Sequence, residues 1–231
     1  MKNKYRVNEV FTSIQGEGTR VGRPAVFVRF SGCVRTCSFC DTRHDTWEHY
    51  GLDDLITIID KETRLLGTNI DCVLTGGEPL LQIDAPLVRA LKTLGYVVCI
   101  ETSGDQLIEE QRSDFSSVLA MLKRESPELT VSPKSVEYSV SVLKRATCLK
   151  VVCPMPFDVL ALDTMIETLS RHGGREQCPL VLQPITPTEG TGSWKWKSAC
   201  KEALSLAVHR KIHRNEIWRI IPQTHAMMGF K

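Results

Sequence analysis

Cys33, Cys37 and Cys40 stand in the spacing Cys-x3-Cys-x2-Cys within a chain of 231 residues. Thiols gathered on one short stretch can hold a metal centre. A [4Fe-4S] cubane has four irons, so three protein thiolates leave one iron open. An open iron can chelate the amino and carboxylate groups of an amino acid. His44 lies four residues beyond Cys40 and offers a different arrangement, a closed Cys3His zinc site. Spacing alone leaves both open.

Two further features favour the cluster. Phe39 sits immediately before the last cysteine of the motif, and Thr75-Gly76-Gly77-Glu78-Pro79 follows an apolar run downstream. Gly76 and Gly77 permit a close backbone approach, and Glu78 can accept from an ammonium group. The combination resembles the radical S-adenosylmethionine (AdoMet) superfamily. That resemblance implies Phe39 beside the adenine and Gly76, Gly77 and Glu78 at the AdoMet amino group. It also implies that a cluster electron breaks the sulfonium C–S bond, giving methionine and a 5′-deoxyadenosyl radical.

These residues need a scaffold. Apolar, β-rich runs recur at Ala25–Phe30, Ile70–Leu74, Tyr96–Ile100, Leu129–Val131, Cys148–Val152 and Pro179–Leu182, as expected of parallel strands buried on both faces. Helical periodicity lies between them. Its apolar faces are Leu55, Ile58, Ile59, Leu65 and Leu66; Leu87, Leu91 and Leu94; and Phe115, Val118, Leu119 and Leu122. Two more are Val159, Leu162, Ile166 and Leu169, and finally Trp196, Cys200, Ala203, Leu204 and Ala207. Alternating strand and helix implies right-handed crossovers and an α/β fold. About six parallel strands are too few for a closed eightfold barrel, so an open, partial βα barrel is expected. Residues 1–231 read as one domain, with a helical insertion at 105–128. Trp194 and Trp196 are expected in core or dimer packing. Polar or glycine-rich clusters follow five of the strands, where parallel α/β proteins build their sites.

Composition excludes several partners. Lys and Arg number 29 against 27 Asp and Glu, a net charge of +2. That is too near neutral for binding driven by nucleic acid or an anionic membrane. The amino-terminal residues are polar and no apolar run is long enough to span a bilayer, so a cytoplasmic protein is expected. Cys72, Cys99, Cys148, Cys153, Cys178 and Cys200 are scattered and read as small buried apolar side chains.

A closer resemblance covers residues 8 to 225. Asn8–Gly18 (NEVFTSIQGEG), Arg29–Cys33 (RFSGC), Cys40-Asp41-Thr42, Glu101–Gly104 (ETSG), Ser132-Pro133-Lys134 and Gln223-Thr224-His225 are similar to the signatures of the 7-carboxy-7-deazaguanine synthase family. The resemblance implies conversion of 6-carboxy-5,6,7,8-tetrahydropterin to 7-carboxy-7-deazaguanine with release of ammonia, on the route to queuosine-type 7-deazapurines. It implies a [4Fe-4S] cluster, AdoMet, Mg²⁺, a homodimer, and an electron donor such as flavodoxin or ferredoxin. A glycyl-radical activase shares the cysteine and GGE motifs and is the alternative within the superfamily.

The residues suit a flat, polar heterocycle bearing a carboxylate. Arg29 can grip the carboxylate bidentately. Gln15 and the backbone of Ile14–Gly16 can read a pterin edge, with Glu17 beside them. By resemblance Thr42 meets Mg²⁺, with Asp41 a second candidate on charge grounds. Thr75 contacts substrate by resemblance, and His225 closes the pocket. The resemblance also implies AdoMet contacts from Ser132, Pro133 and Lys134, and from Gln183, Pro184, Ile185 and Thr186 at another strand end. Glu101 and Ser103 are expected at the AdoMet ribose or carboxylate.

Overall fold

The apolar runs do form strands. The computed structural model describes residues 5–40, 42, 44–67, 69–171, 178–186 and 193–230, with nothing described of the side chains at 193–195. Its strands are β1 (Tyr5–Ile14), β2 (Pro24–Phe30), β3 (Glu48–Tyr50), β4 (Asp71–Gly76), β5 (Val97–Thr102), β6 (Glu128–Val131), β7 (Cys148–Cys153), β8 (Leu180–Pro184) and β9 (Trp218–Ile220). They make one sheet in the order β3-β1-β2-β4-β5-β6-β7-β8-β9. From β2 to β9 every neighbouring pair is parallel, whereas β1 pairs antiparallel with both β2 and β3. The sheet does not close, as expected of a partial barrel. Two features go beyond the six expected strands. A seventh parallel strand, β9, extends one edge, and an antiparallel pair, β1 and β3, extends the other.

The crossovers are helical: α1 (Leu52–Thr63), α2 (Ala85–Thr93), α3 (Leu107–Gln111), α4 (Phe115–Glu125), α5 (Val140–Leu143), α6 (Val159–Arg171) and α7 (Ser193–Arg214), with α8 (Thr224–Met227) after β9. The longer crossover helices bury apolar residues against the sheet. Leu55 and Ile59 of α1 and Leu87, Val88 and Leu91 of α2 are fully buried, each contributing roughly 1.5–3 kcal/mol of transfer free energy. Asp84 caps α2, accepting from the Leu87 amide at 3.0 Å and from the Tyr5 hydroxyl at 2.8 Å. Residues 105–128 hold α3 and α4; α4 sends Phe115, Val118, Met121 and Leu122 into the main core.

Two expected apolar faces ran past their helices, and one residue of a third points the other way. Leu65 is 95% exposed because α1 stops at Thr63, and Leu66 is exposed in the turn that follows. Leu94, the residue ending α2 before Gly95 turns the chain at positive φ, is also exposed. Leu204 points outward from α7, where Ala199 and Ala203 supply the buried contact. Among the described residues, no helix is long and apolar enough to cross a membrane.

Strand alternation divides the sheet's two faces. Val28, Phe30, Leu74, Ile100, Val131 and Leu149 belong to the main core that the helices build. Ala25, Val73 and Cys99, with Phe27 and Val97, form a separate small cluster on the inner face. Register then brings inner-face residues into rows, Arg29 beside Thr75 and Glu101 beside Thr130, towards the carboxyl ends of the strands. At the opposite end, Asp71 is fully buried and takes two bonds from Arg20, at 2.6 and 2.7 Å, and one from Arg23 at 3.1 Å. This ties the loop after β1 to the start of β4. Asp71→Ala should cost about 3 kcal/mol, near the low end for a broken buried pair because both arginines reach solvent. Urea unfolding monitored by far-ultraviolet dichroism checks it; an unchanged midpoint would remove Asp71 from the fold's supports.

Candidate active site at the carboxyl ends of the strands

The three motif cysteines lie on the loop from β2 to β3, and all three are free thiols, Cys33 and Cys37 half-buried and Cys40 exposed. The loop is pinned at its base. The Ser31 amide donates to the Arg6 carbonyl at 2.9 Å and the Gly32 amide to the His44 carbonyl at 3.0 Å. From the other side, the Gly77 amide donates to Phe30 and the Glu78 amide to Gly32, both at 2.8 Å. Gly76 holds φ near +114°, and a Cβ there would stand 2.4 Å from the Phe30 backbone; one on Gly77 would stand 2.1 Å from the Gly32 carbonyl. The close approach expected of these glycines is therefore to the cysteine loop itself.

Burial pushes the Cys33 and Cys37 thiols up, with Lys134 opposing it at Cys37. Among the described residues, no three thiol, imidazole or carboxylate groups gather around a single ion. Four-coordinate zinc would need its ligands within about 2.0–2.3 Å of one metal. His44 contributes its backbone carbonyl at the base of the same loop. Asp41 lies outside the described residues, as does the Trp194 side chain; Trp196 is half-buried in α7.

Glu78 is 1% exposed and its carboxylate is fully engaged. It accepts from the Thr102 hydroxyl at 2.6 Å, the Ser103 hydroxyl at 2.7 Å, the Ser103 amide at 3.0 Å and the Leu80 amide at 3.1 Å. Burial raises its pKa, and these four donors pull the other way. Glu78 here joins the ends of β4 and β5 rather than presenting a free acceptor. The Ser132 amide donates to the Thr102 carbonyl at 2.8 Å, carrying the connection to β6.

Beside the cysteine loop is a recess of about 350 Å³ lined by Val34, Arg35, Thr36, Cys37, Phe39, Leu107 and Lys134. Lys134 donates to the Ser132 hydroxyl at 2.8 Å and stands 5.7 Å over the Phe39 ring. Pro133 is buried between them in sequence. Arg35, which sequence reasoning passed over, pairs with buried Asp105 and, at 2.8 Å, with Glu137. It fastens the recess's far wall. At the end of β8, Gln183 Oε1 and Thr186 Oγ1 are buried without a hydrogen-bond partner, and the Ile185 amide follows Pro184 by donating to Cys153 at 2.9 Å. Orphaned polar atoms of this kind suit a bound polar ligand.

The inner face carries a second group of polar residues. Glu101 accepts from Gln15 Nε2 at 2.9 Å and from the Thr75 hydroxyl at 3.1 Å. Gln15 Oε1 in turn accepts from the Glu17 amide at 3.0 Å. Glu101 thus shares the inner face with Gln15 and Thr75, because alternation turns residues 101 and 102 to opposite faces. Glu17 pairs with Lys150 of β7 and accepts from Gln223 Nε2 at 2.6 Å. Burial pushes the Glu17 carboxyl up, but Lys150, Gln223 and His225 more than offset it and hold it at about 2. The Thr224 amide donates to the Gly16 carbonyl at 3.0 Å, and any Cβ on Gly16 would collide with His225 Nδ1 at 1.8 Å. Glycine is required here so that the carboxy-terminal helix α8 can dock. Ile14 ends β1, opposite Pro24. Farther out, Arg29 donates to Thr42 Oγ1 at 2.7 Å and lies 2.8 Å from Glu9.

Comparison with known proteins follows this division. Residues 14–131 match the model of the 4Fe-4S single cluster domain, a little over half of the chain. The chain belongs to that family. A 7-carboxy-7-deazaguanine synthase from Escherichia coli is 29% identical over 98% of this chain and 99% of its own length. One from Bacteroides thetaiotaomicron is 45% identical over 105 residues, which is 46% of this chain and 55% of that relative, so this match spans about half the relative's length. The crystal structure of QueE from Escherichia coli superposes with a TM-score of 0.65 at 27% identity, covering 95% of this chain and 94% of that one. The family resemblance read from the motifs is borne out, and the chain's iron–sulfur and AdoMet character with it.

Lys150, like Arg35, was passed over by the sequence reading. Its signal was a lysine inside the otherwise apolar run Cys148–Val152, 6% exposed in the fold. For the cluster, Cys37→Ala should abolish bound iron and acid-labile sulfide after anaerobic reconstitution, whereas His44→Ala should retain both. Iron lost equally from the two variants would return the Cys3His arrangement to consideration.

Proposed function

We propose that the chain converts 6-carboxy-5,6,7,8-tetrahydropterin to 7-carboxy-7-deazaguanine with release of ammonia. One observation carries this reading. The QGEG loop after β1 and the Gln223-Thr224-His225 segment meet on the inner face around Glu17, and Gln15 of that loop bonds Glu101 beside Thr75. The full-length relative bears the same activity in its name, and none of the named relatives favours the activase alternative.

The residues divide the work. Cys33, Cys37 and Cys40 hold the cluster, and Phe39, Ser132, Pro133, Lys134, Gln183, Pro184, Ile185 and Thr186 line the AdoMet side. When bound, the two supply a carbon-centred radical able to take hydrogen from carbon. Gln15, Glu17 and Glu101 present acceptors to the N–H groups of the pterin ring, and Thr75 orients Glu101. His225 and α8 cover the QGEG loop and exclude water. Arg29 meets the substrate carboxylate, leaving the Thr42 hydroxyl for Mg²⁺, whose remaining positions water and substrate would fill. Mg²⁺, the homodimer and a flavodoxin- or ferredoxin-type electron donor rest on the family resemblance.

The test is anaerobic reconstitution followed by incubation with AdoMet, reductant, Mg²⁺ and the tetrahydropterin, with product followed by mass spectrometry. The expected result is 7-carboxy-7-deazaguanine with stoichiometric ammonia. An enzyme that cleaves AdoMet and leaves the pterin unchanged would sink the reading. In the active enzyme, Arg29→Ala should raise KM by the equivalent of about 2 kcal/mol, the low end for losing a charged partner because Arg29 is partly exposed and already shared with Glu9. Thr42→Ala should flatten the rate's response to Mg²⁺; full stimulation in that variant would release Thr42 from the assignment.

A further inference from the structure

Lys150 has no place in the division of labour above, yet it is the most deeply placed cation near the site. Its side chain is 8% exposed and its strand, β7, is otherwise apolar and buried. A lysine in such a position costs several kcal/mol of desolvation unless a partner compensates. Its partner is Glu17, from the loop after β1, a residue whose second oxygen takes the Gln223 amide. Lys150 also acts on Glu101 through space. The charged or titratable groups around this pair are Glu101 of β5, Cys148 of β7 itself and His225 of α8, with Arg20, Cys99 of β5 and Glu128 of β6 lining the same inner cavity as Glu17. A carboxylate this buried would ordinarily take up a proton.

We propose that Lys150 is a specificity-determining positioning residue: it keeps Glu17 an acceptor-only carboxylate, so that the pocket selects a heterocycle edge with two adjacent N–H donors. This deepens the pterin reading and rests on it. A 2-amino-4-oxo pyrimidine ring presents a ring N–H beside an exocyclic amine, two parallel donors. A 2,4-dioxo ring replaces the amine by a carbonyl, and an ionised Glu17 would face it acceptor to acceptor. A protonated Glu17 could instead donate to that carbonyl and tolerate it. Selection by unpaired buried polar groups is stronger than selection by shape. The direction of the Glu17 shift agrees: burial raises it, and Lys150 heads the influences that bring it down.

The experiment uses the reconstituted holoenzyme with AdoMet and two unreactive fluorescent ligands, 6-carboxypterin and its 2,4-dioxo counterpart, 6-carboxylumazine. Binding is titrated from pH 5 to pH 7, below the ionisation of the ligands' own ring N–H groups. The wild type should prefer the pterin by on the order of tenfold or more at every pH, since Glu17 stays ionised throughout. Lys150→Met should retain its cluster and AdoMet binding, show a reduced preference at low pH, and regain it as pH rises and Glu17 deprotonates. A purely structural lysine would weaken both ligands alike and leave their ratio flat; an unchanged, pH-independent preference in Lys150→Met overturns the proposal. Should that variant lose its cluster, the Glu17→Gln/Lys150→Met double variant, which buries no charge, decides the matter. Equal affinity for the two ligands supports the role, and a retained preference overturns it. A wild type that binds neither ligand overturns the pterin reading itself, a result distinct from a flat ratio.

Discussion

The backbone of Gly76–Glu78 lies against the backbone of Phe30–Gly32 and continues the β2–β4 ladder past the strands, into the loop that carries the cysteines. Everything at the site is referred to that contact. Neither Gly76 nor Gly77 can carry a Cβ without meeting backbone atoms well inside van der Waals range. The contact fixes where the three thiols start, and Glu78 then transfers that position to β5 through Thr102 and Ser103. A buried carboxylate costs several kcal/mol to desolvate, and hydrogen bonds to a charged group return about 1.5–3 kcal/mol each. Four of them roughly balance that cost. The knot therefore adds little net stability and a great deal of geometry.

Strand alternation separates the two chemistries that must meet. At the end of β5, Thr102 turns to Glu78 on the helix-covered side, while Glu101 turns to Gln15 and Thr75 on the inner face. One strand thus positions both the cysteine-loop support and the polar inner face. A shift of one residue in its register would exchange the two sets.

Much of this was legible because buried parallel strands read as apolar runs, and six of the seven parallel strands announced themselves in that way. β1 did not, since Tyr5–Ile14 mixes polar and apolar residues along a half-buried surface, and β9 is three residues long. The helical period overran its helices at Leu65 and Leu94, where chain turns with glycine at positive φ took precedence. The cysteine spacing and the GGE motif named the site, but the partners of Glu78 and Glu101 were assigned by analogy with a ligand. The fold gives them protein partners 24 and 86 residues away. Docking of Thr224 and His225 on Gly16 spans the whole chain. No local pattern encodes a contact of that separation, because both segments are polar and neither has a periodicity. Lys150 was passed over for the opposite reason: its strand was so clearly apolar that one charge within it looked incidental.

The inner face also has an electrostatic asymmetry. At its deep end Lys150 serves two carboxylates, Glu17 directly and Glu101 through space, and Glu101's own hydrogen bonds come from the neutral Gln15 and Thr75. That end holds more acceptor capacity than the protein's own donors fill. At the outer end Arg29 is paired with Glu9 and shares Thr42, with Arg29 and Glu9 both partly exposed, so the guanidinium can change partners at little cost. A ligand complementary to this pattern has N–H donors at one end and an anion at the other. A carboxylated pterin has that polarity, and bound in the reverse sense it would set its carboxylate against Glu17 and Glu101. The charge pattern thus opposes the wrong orientation as well as favouring the right one, which a radical reaction needs if it is to remove one particular hydrogen.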